Sequence, residues 1–143
     1  MADQATVREI VKRYFEYVGA DVDRADEIYH EDAVLEFPQS GERFEGVAIF
    51  TEWRRQYPAD QDKMRFKLRR AIVRVDLAVV ELSATYDGES SLQGVQLLEF
   101  RGDKVARERI YVIEAWEAPE WRAPWRSEIP ADPPDAIISG LNE

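Results

Sequence analysis

Apolar residues recur at helical spacing in the first part of the chain. One face of an amphipathic helix is predicted by residues at positions i, i+3, i+4, i+7 and i+11, namely Val7, Ile10, Val11, Tyr14 and Val18. Gly19 marks the end of this helix, and a short second helix is predicted from about Asp23 to Tyr29. A third helix stops at Pro58, and its apolar face is formed by Ile49, Phe50, Trp53 and Tyr57.

One strand is predicted between the second and third helices. It runs from Ala33 to Phe37, follows an acidic turn at Glu31 and Asp32, and is stopped by a proline. A polar loop then leads to Gly46, where the third helix begins. This segment therefore predicts a helix, a strand and a helix in close succession.

Beyond Pro58 the apolar positions alternate with a period of two, which predicts strands. Four strands are predicted, over Met64–Val75, Leu77–Tyr86, Leu92–Phe100 and Val105–Trp116. The pair Asp87-Gly88 is a strong hairpin signal between the second and third of these. Helices followed by an antiparallel meander predict an α+β fold, with N-terminal helices packed on a mainly antiparallel sheet.

The composition changes at Glu117. The stretch EAPEWRAPWRSEIPADPP holds five of the seven prolines and two Trp-Arg pairs. Prolines break regular structure, which predicts an extended arm, and tryptophans gain from burial. We therefore expect one domain over residues 1–116 and a Pro/Trp-rich C-terminal arm over 117–143, which packs on its own domain or on a partner subunit.

The charge and the residue types exclude several classes of function. A formal net charge of −10 opposes binding to nucleic acid and to anionic membranes, both of which need basic patches. The chain has no cysteine and one histidine, and it lacks the ligand spacing of known metal sites and a phosphate-binding glycine loop, so no metal or cofactor is expected. It also lacks a signal-peptide layout and an apolar run of about 20 residues that could span a bilayer. We expect a cytoplasmic protein.

The order of elements between Tyr29 and Gly46 resembles the opening of the nuclear transport factor 2-like superfamily. This superfamily includes ketosteroid isomerases and SnoaL-like polyketide cyclases. The resemblance covers about residues 5 to 116. It implies that the helices and a curved sheet form a cone with an internal pocket, and that the protein is a homodimer.

The resemblance also assigns site residues. Ketosteroid isomerases carry a motif similar to Ile10–Tyr14, whose tyrosine donates a hydrogen bond to the substrate oxyanion, and Tyr14 falls on that position. A second, supporting tyrosine matches Tyr29. The proton-shuttling aspartate of the family falls on Phe37, which cannot accept a proton, and the second oxyanion-hole acid falls on Gln96, whose amide can still donate. Steroid isomerisation is therefore not expected.

Glu108 is the candidate replacement for the missing base. It shares one face of the last predicted strand with Ile110, Val112 and Trp116. The resemblance turns this face toward the pocket, where burial would raise the pKa of the carboxylate toward the range of a general base. The alternative is a charge ladder, in which Glu108 and the flanking arginines lie on a solvated or dimer surface.

Two functions follow from the resemblance. In the first, the protein binds a small apolar molecule, cyclic or polyketide-like, and catalyses acid/base proton transfer as an isomerase, cyclase or dehydratase. The catalytic residues would be Tyr14, Glu108 and Gln96. The ligand-binding residues would be Tyr29, Phe37, Trp53 and Trp116. The alternative is a non-catalytic ligand-binding or dimeric assembly module of the same fold.

A third possibility rests on another branch of the superfamily. Limonene epoxide hydrolases use an Asp-Arg-Asp arrangement around a water molecule. The candidates for the arginine are Arg54, Arg55 and Arg109. The two carboxylates cannot be assigned to inward-facing positions from the sequence.

Overall fold

The computed structural model describes residues 3–18, 21–56, 64–86 and 90–130. The helices are α1 (Gln4–Tyr17), α2 (Val22–Ala25) and α3 (Val47–Arg55). The strands are β1 (Tyr29–Phe37), β2 (Glu42–Glu45), β3 (Met64–Val73), β4 (Leu77–Tyr86), β5 (Ser90–Arg101) and β6 (Lys104–Glu114). Two 3-10 turns cover Asp26–Ile28, directly after α2, and Glu120–Trp125, in the C-terminal arm.

The six strands form one curved, open sheet in the order β2-β1-β6-β5-β4-β3. Neighbouring strands are antiparallel, except that β1 and β6 run parallel. The parallel pair joins the N-terminal part of the chain to the middle of the sheet. The predicted α+β class, with N-terminal helices on a curved and mainly antiparallel sheet, is therefore confirmed.

Helices α1 and α3 each bury one side in the core. The carboxylate of Asp3 accepts a hydrogen bond from the Thr6 N–H group and caps the start of α1. The buried residues of α1 are Val7, Val11 and Tyr14. Helix α3 buries Phe50 and, beside it, Arg54. Arginine is rarely buried without a partner, so Arg54 marks the place where polar groups meet inside the protein.

Strand β1 is longer than the sequence pattern predicts. It begins at Tyr29, so the predicted second helix is shorter, and the predicted acidic turn at Glu31 and Asp32 lies within the strand. The pairing of β1 with β6 shifts register between Tyr29 and Val34. The two exposed acidic residues fall in this irregular part of β1, where an unpaired residue is tolerated.

Strand β2 lies where a polar loop was predicted. It pairs with β1 at the edge of the sheet, and Phe44 is its one residue that is not exposed. Four residues with a single half-buried side chain carry too little alternation to predict a strand. Gly46 follows with a φ of 95°, which favours glycine, and α3 begins at the next residue.

The described ranges leave some predictions untested. The predicted helix ends at Gly19 and Pro58 and the hairpin at Asp87-Gly88 lie outside the described residues. The division of the chain at residue 116 also stays a prediction, although β6 ends at Glu114. In the described parts of the chain, every helix is too short or too polar to cross a membrane.

Candidate functional site

A cavity of about 150 Å³ opens between the helices and the inner face of the sheet. Most of its wall is apolar and comes from Val18, Val22, Ala25, Trp53, Phe66, Leu82, Ala84, Leu92, Ile110 and Val112. Tyr14, Asp26 and Arg54 add polar groups to this wall. An apolar cavity with a few convergent polar groups has the usual composition of a small-molecule site.

Arg54 lies between two buried carboxylates. Its Nη1 atom donates a hydrogen bond to Asp26 Oδ1, and its Nη2 atom lies 3.5 Å from Glu108 Oε2. The Arg54 side chain is 11% exposed, that of Asp26 is 4% exposed and that of Glu108 is fully buried. With both acids ionised, one positive charge would face two negative charges in a place that water hardly reaches.

Two hydroxyl groups bind the other oxygen atoms of these carboxylates. The Tyr29 hydroxyl donates to Glu108 Oε1 at 2.8 Å. The Thr51 hydroxyl donates to Asp26 Oδ2 at 2.6 Å. All four carboxylate oxygens therefore have a donor, as the stability of buried charges requires.

Aromatic rings surround the guanidinium group of Arg54. Its central carbon lies 5.3 Å from the ring centre of Phe50, 5.7 Å from that of Tyr29 and 6.0 Å from that of Tyr14. These distances are within the range of cation–π attraction. The rings hold the charged group in one position and shield it from solvent.

The elements of the fold bring these groups together from three parts of the sequence. Thr51 and Arg54 are three residues apart on α3, so both side chains lie on one face of the helix. Asp26 and Tyr29 lie at the two ends of the turn that leads into β1. Glu108 lies on β6 beside β1 and β5, in the middle of the sheet.

Burial changes the protonation of the cluster formed by Asp26, Arg54 and Glu108. Burial raises the pKa of Glu108 to about 7, although Arg54 and the Tyr29 hydroxyl act to lower it. The pKa of Asp26 is also raised by burial, against the lowering effects of Arg54 and Thr51. The cluster can therefore hold a proton near neutral pH, which would leave it with no net charge.

The hydroxyl groups of Tyr14 and Tyr29 stay protonated over the physiological range. Burial is the main cause that raises the pKa of each, and the negative charge of Glu108 raises it further. A protonated phenol in a dry site can donate a hydrogen bond to an oxygen atom that gains negative charge.

The structure brings several of the predicted site residues together. Tyr14 and Trp53 line the cavity. Glu108 lies on the inner face of the sheet, fully buried, although it does not line the cavity itself. It reaches the cavity wall through Arg54, and Tyr29 touches both of these residues.

Gln96 and Phe37 lie near the cavity but outside its wall. Gln96 is buried on the inner face, opposite Ile110, and its Oε1 atom has no hydrogen-bond partner among the described residues. Phe37 packs against Phe44 and Trp53, with ring-centre distances of 6.1 and 5.7 Å. Phe37 therefore supports the cavity wall through Trp53.

Trp116, predicted as a ligand-binding residue, lies outside the wall of the cavity. Strand β6 ends at Glu114, so the alternation of faces does not continue to Trp116. Its side chain is 72% exposed and does not line the cavity. The prediction extended the strand period beyond the point where the strand ends.

Sequence reasoning missed Asp26 and Thr51. Asp26 is one of several acidic residues in a polar segment, and its neighbours Asp23 and Glu27 are exposed. The apolar residues Ala25 and Ile28, which lie close to Asp26 in the sequence, gave a weak indication that this segment faces the core. Arg54 was a candidate arginine, but its two carboxylate partners are 28 and 54 residues away.

The described residues contain no group of three or more His, Asp and Glu side chains placed to hold a metal ion. The two carboxylates of the cluster instead share the guanidinium of Arg54. The arrangement can bind an apolar ligand, donate hydrogen bonds from tyrosine or arginine, and exchange a proton at a carboxylate.

Solved structures with the same fold are numerous. A Kribbella flavida protein, proposed to be a ketosteroid isomerase, is 28% identical, with a TM-score of 0.77 over 92% of this chain and 95% of that one. A protein of unknown function from Burkholderia xenovorans, described as NTF-2 like, is 32% identical, with a TM-score of 0.75 over 87% of this chain and 96% of that one.

A more distant structure is SalBIII, an epoxide hydrolase/cyclase-like enzyme of pyran ring formation in salinomycin. It is 21% identical, with a TM-score of 0.65 over 78% of this chain and 94% of that one, and it supports the fold alone. None of the curated proteins matches the sequence. The family model of the SnoaL-like domain matches residues 11–108, which include Asp26, Arg54 and Glu108. The chain belongs to the SnoaL-like domain family, within the nuclear transport factor 2-like fold.

Proposed function

We propose that this protein binds a small apolar molecule in the cavity and catalyses acid/base proton transfer on it. The observation that carries the proposal is the cluster of Asp26, Arg54 and Glu108 at the wall of an apolar cavity. Buried charges cost stability unless they are well paired, and replacing them with apolar residues is often neutral or favourable. A cluster of this kind beside an apolar cavity is a candidate for a catalytic role.

The cavity volume limits the ligand. A buried cavity of about 150 Å³ is large enough for benzene, and the cavity of this protein has about the same volume. The ligand part that enters is therefore about the size of one six-membered ring. A four-ring steroid is too large to fit completely, which agrees with the absence of the isomerase aspartate at Phe37.

Asp26 is the carboxylate best placed to act as the base. It lines the cavity, whereas Glu108 touches the cavity wall only through Arg54. Asp26 would accept a proton from the ligand, and Tyr14 or Arg54 would donate a hydrogen bond to the ligand oxygen. Glu108 would set the net charge of the cluster. When Glu108 is protonated, the positive charge of Arg54 is balanced by Asp26 alone.

One observation favours a hydrolytic variant of this chemistry. Asp26, Arg54 and Glu108 form a carboxylate–arginine–carboxylate arrangement, similar to the one used by limonene epoxide hydrolases. In that variant Asp26 would take a proton from water, and the water oxygen would attack a ring carbon of a strained cyclic ether and break its C–O bond. Arg54 would stabilise the released ring oxygen, which would then take the proton back from Asp26. Hydrolysis of a small cyclic ether is therefore the second candidate reaction.

The non-catalytic alternative is a ligand-binding or dimeric assembly module with the same cavity. It is favoured by Phe37 at the position of the family's base and by the complete hydrogen bonding of both carboxylates. A homodimer is proposed under either function, so the oligomeric state does not separate them.

The first experiment identifies the ligand. Purified protein is denatured, the released small molecules are identified by mass spectrometry, and each is titrated back with a thermal-shift assay. Turnover is then measured with the wild type, with Asp26→Asn and with Glu52→Gln, an exposed control on α3. We expect Asp26→Asn to lower kcat by about 100-fold or more, in line with general acid–base catalysis. A ligand that binds with no turnover in any variant would favour the binding module.

A further inference from the structure

Asp26 lies between two separate openings. On one side it lines the apolar cavity. On the other it lines a wider groove of about 580 Å³, which we call the polar groove. Asp26 shares the groove with Arg13, Glu27, Tyr29, Thr51 and Lys104. Asp26 therefore forms part of the partition between an apolar and a polar compartment.

The two oxygen atoms of Asp26 bind residues of different compartments. Oδ1 accepts a hydrogen bond from Arg54, which lines the cavity and not the groove. Oδ2 accepts a hydrogen bond from Thr51, which lines the groove and not the cavity. The two oxygens of one carboxylate are thus bound by donors from different compartments.

This division matters when the cavity is occupied. A bound apolar molecule excludes water from the cavity, so a proton taken up by Asp26 could not leave through it. The polar groove is lined by charged and hydroxyl side chains, among them Arg13, Glu27, Thr51 and Lys104. Water in such a groove can reach the half-buried Thr51, whose hydroxyl binds Asp26 Oδ2, whereas the Asp26 side chain itself is only 4% exposed.

We propose that Asp26 exchanges protons with solvent through the polar groove while the apolar cavity is occupied, with the Thr51 hydroxyl as the proton relay. This inference rests on the proposed role of Asp26 as the base. Thr51 donates its hydroxyl hydrogen to Asp26 Oδ2. When a proton gained by Asp26 comes to Oδ2, the Thr51 hydroxyl turns toward a groove water, Oδ2 donates the proton to Thr51 Oγ1, and the original hydroxyl hydrogen passes to that water. The threonine is unchanged at the end, and the carboxylate is ionised again.

The test needs no substrate. The side-chain carboxyl carbons of aspartate are labelled with ¹³C, and proton exchange at Asp26 is measured by relaxation dispersion at the midpoint of its titration. The measurement is repeated with toluene, an apolar probe of the size of the cavity. Binding of toluene is followed by the methyl signals of Ile110 and Val112, which line the cavity.

We expect toluene to change the exchange rate of Asp26 by less than 2-fold in the wild type. A decrease of more than 10-fold would show that exchange runs through the cavity, and it would overturn the inference. If toluene does not bind, Ala84→Leu narrows the cavity from within, and the same two outcomes apply. Failure of toluene to bind would count against the proposed function. A proton-exchange rate at Asp26 that depends on the filling of the cavity would instead count against exchange through the polar groove.

Thr51 is tested with two variants. Thr51→Val keeps the shape of the side chain but removes the hydroxyl, and we expect it to slow exchange at Asp26 by 10-fold or more. Thr51→Ser keeps the hydroxyl and should restore the rate to within about 3-fold of the wild type. A purely structural role would make both variants similar in exchange rate, and that result would overturn the assignment of Thr51. Thermal unfolding of both variants confirms that the fold is retained.

Discussion

At the scale of single residues, the balance of charge around Arg54 decides both stability and chemistry. One guanidinium group is shared by Asp26 and Glu108, and three aromatic rings enclose it. The burial that makes this cluster costly also raises the pKa of both acids. Stability and reactivity therefore depend on the same few contacts.

Removal of Arg54 should destabilise the protein strongly. Arg54→Met leaves two buried carboxylates without their shared cation, and loss of one partner of a buried pair costs about 3–5 kcal/mol. Urea denaturation measures the free energy of unfolding. The matched control is Arg55→Met, since the Arg55 side chain is 57% exposed and pairs with the exposed Asp23, so we expect about 1 kcal/mol or less. Equal losses in the two variants would contradict a buried role for Arg54.

Glu108 should make stability fall as the pH rises. Its pKa is raised from 4.5 to about 7, so the folded protein binds the proton more tightly than the unfolded chain does. The favourable contribution is complete below pH 4.5 and is lost as the pH rises through 7. Glu108→Gln removes this dependence. Relative to the wild type, the variant should gain roughly 3 kcal/mol between pH 4.5 and pH 8, at about 1.4 kcal/mol per pKa unit.

Glu99 provides a control of opposite sign. Its hydrogen bond with Arg107 lowers its pKa, so Glu99 contributes stability that is lost as the pH falls below 4.5. Glu99→Gln should therefore be less stable than the wild type above pH 4.5. Between pH 5 and 8, the free energy of unfolding should change with pH in the same way in both proteins. The same slope in Glu108→Gln and in the wild type would contradict the burial of an ionisable Glu108.

At the scale of elements, α3 and the turn before β1 position the cluster. Helix α3 carries Thr51 and Arg54 on one face, and it begins directly after Gly46. Gly46 has a φ of 95°, and its N–H group binds the carbonyl of Ala33 in β1. The start of α3 is therefore fixed to the strand that leads from the cluster.

Gly46→Ala should weaken this connection. A side chain at a φ of 95° is strained, at a cost of about 1–3 kcal/mol. We expect a loss of that size in the free energy of unfolding, together with altered NMR signals of Thr51 and Arg54. Gly41→Ala is the control, because Gly41 also has a positive φ, of 76°, and an added Cβ would meet nothing within 4 Å. It should lose a similar amount of stability but leave the signals of Thr51 and Arg54 unchanged, and equal changes of these signals in both variants would argue against a connection through Gly46.

The sequence predicted elements with strong periodicity and missed contacts over long distances. Helix α1 and strand β4 follow their apolar patterns closely, and the position of Tyr14 on the inward face follows from that helix. The partnership of Asp26 with Arg54 depends on packing between two helices, which no local pattern records. Trp116 lies outside the cavity wall because β6 ends at Glu114, and periodicity does not show where a strand ends.

Strand β2 and the irregular part of β1 show the same limit of prediction from the sequence. Residues 31 and 32 have the composition of a turn, and they lie within β1 because the residues on either side of them, Tyr29 and Val34, pair with β6. Strand β2 forms because β1 offers it a free edge. In both cases the neighbouring strand, rather than the local sequence, determines the structure.

At the scale of the whole molecule, the tryptophans of the C-terminal arm stand apart from the core. Trp121 and Trp125 are 71% and 79% exposed, and Arg122 lies over the ring of Trp121. Exposed tryptophans in an ordered turn are typical of interaction surfaces. Their exposure separates their role from that of Trp53, which lines the cavity.

The double variant Trp121→Ser/Trp125→Ser should leave the stability of the monomer unchanged within about 0.5 kcal/mol, as expected for exposed positions. Trp53→Ala should cost about 3 kcal/mol, because Trp53 packs against Phe37 and Phe44. Denaturation at two protein concentrations measures both effects. If the arm joins two copies, the double variant also removes the dependence of stability on concentration. A large loss of stability in the double variant at the lower protein concentration would show that the arm packs on its own domain.

The parallel pairing of β1 with β6 also sets an order for folding. Strands β3 to β6 pair with their neighbours in the sequence, whereas Tyr29 meets Glu108 across 79 residues. Contacts between distant parts of a chain form late, because they close long loops. Strand β1 therefore reaches its place in the sheet only after β6 has been synthesised, although α1 already contacts β3. A chain that is cut short before β6 leaves β1 without its parallel partner and could never assemble Asp26, Arg54 and Glu108 into one cluster.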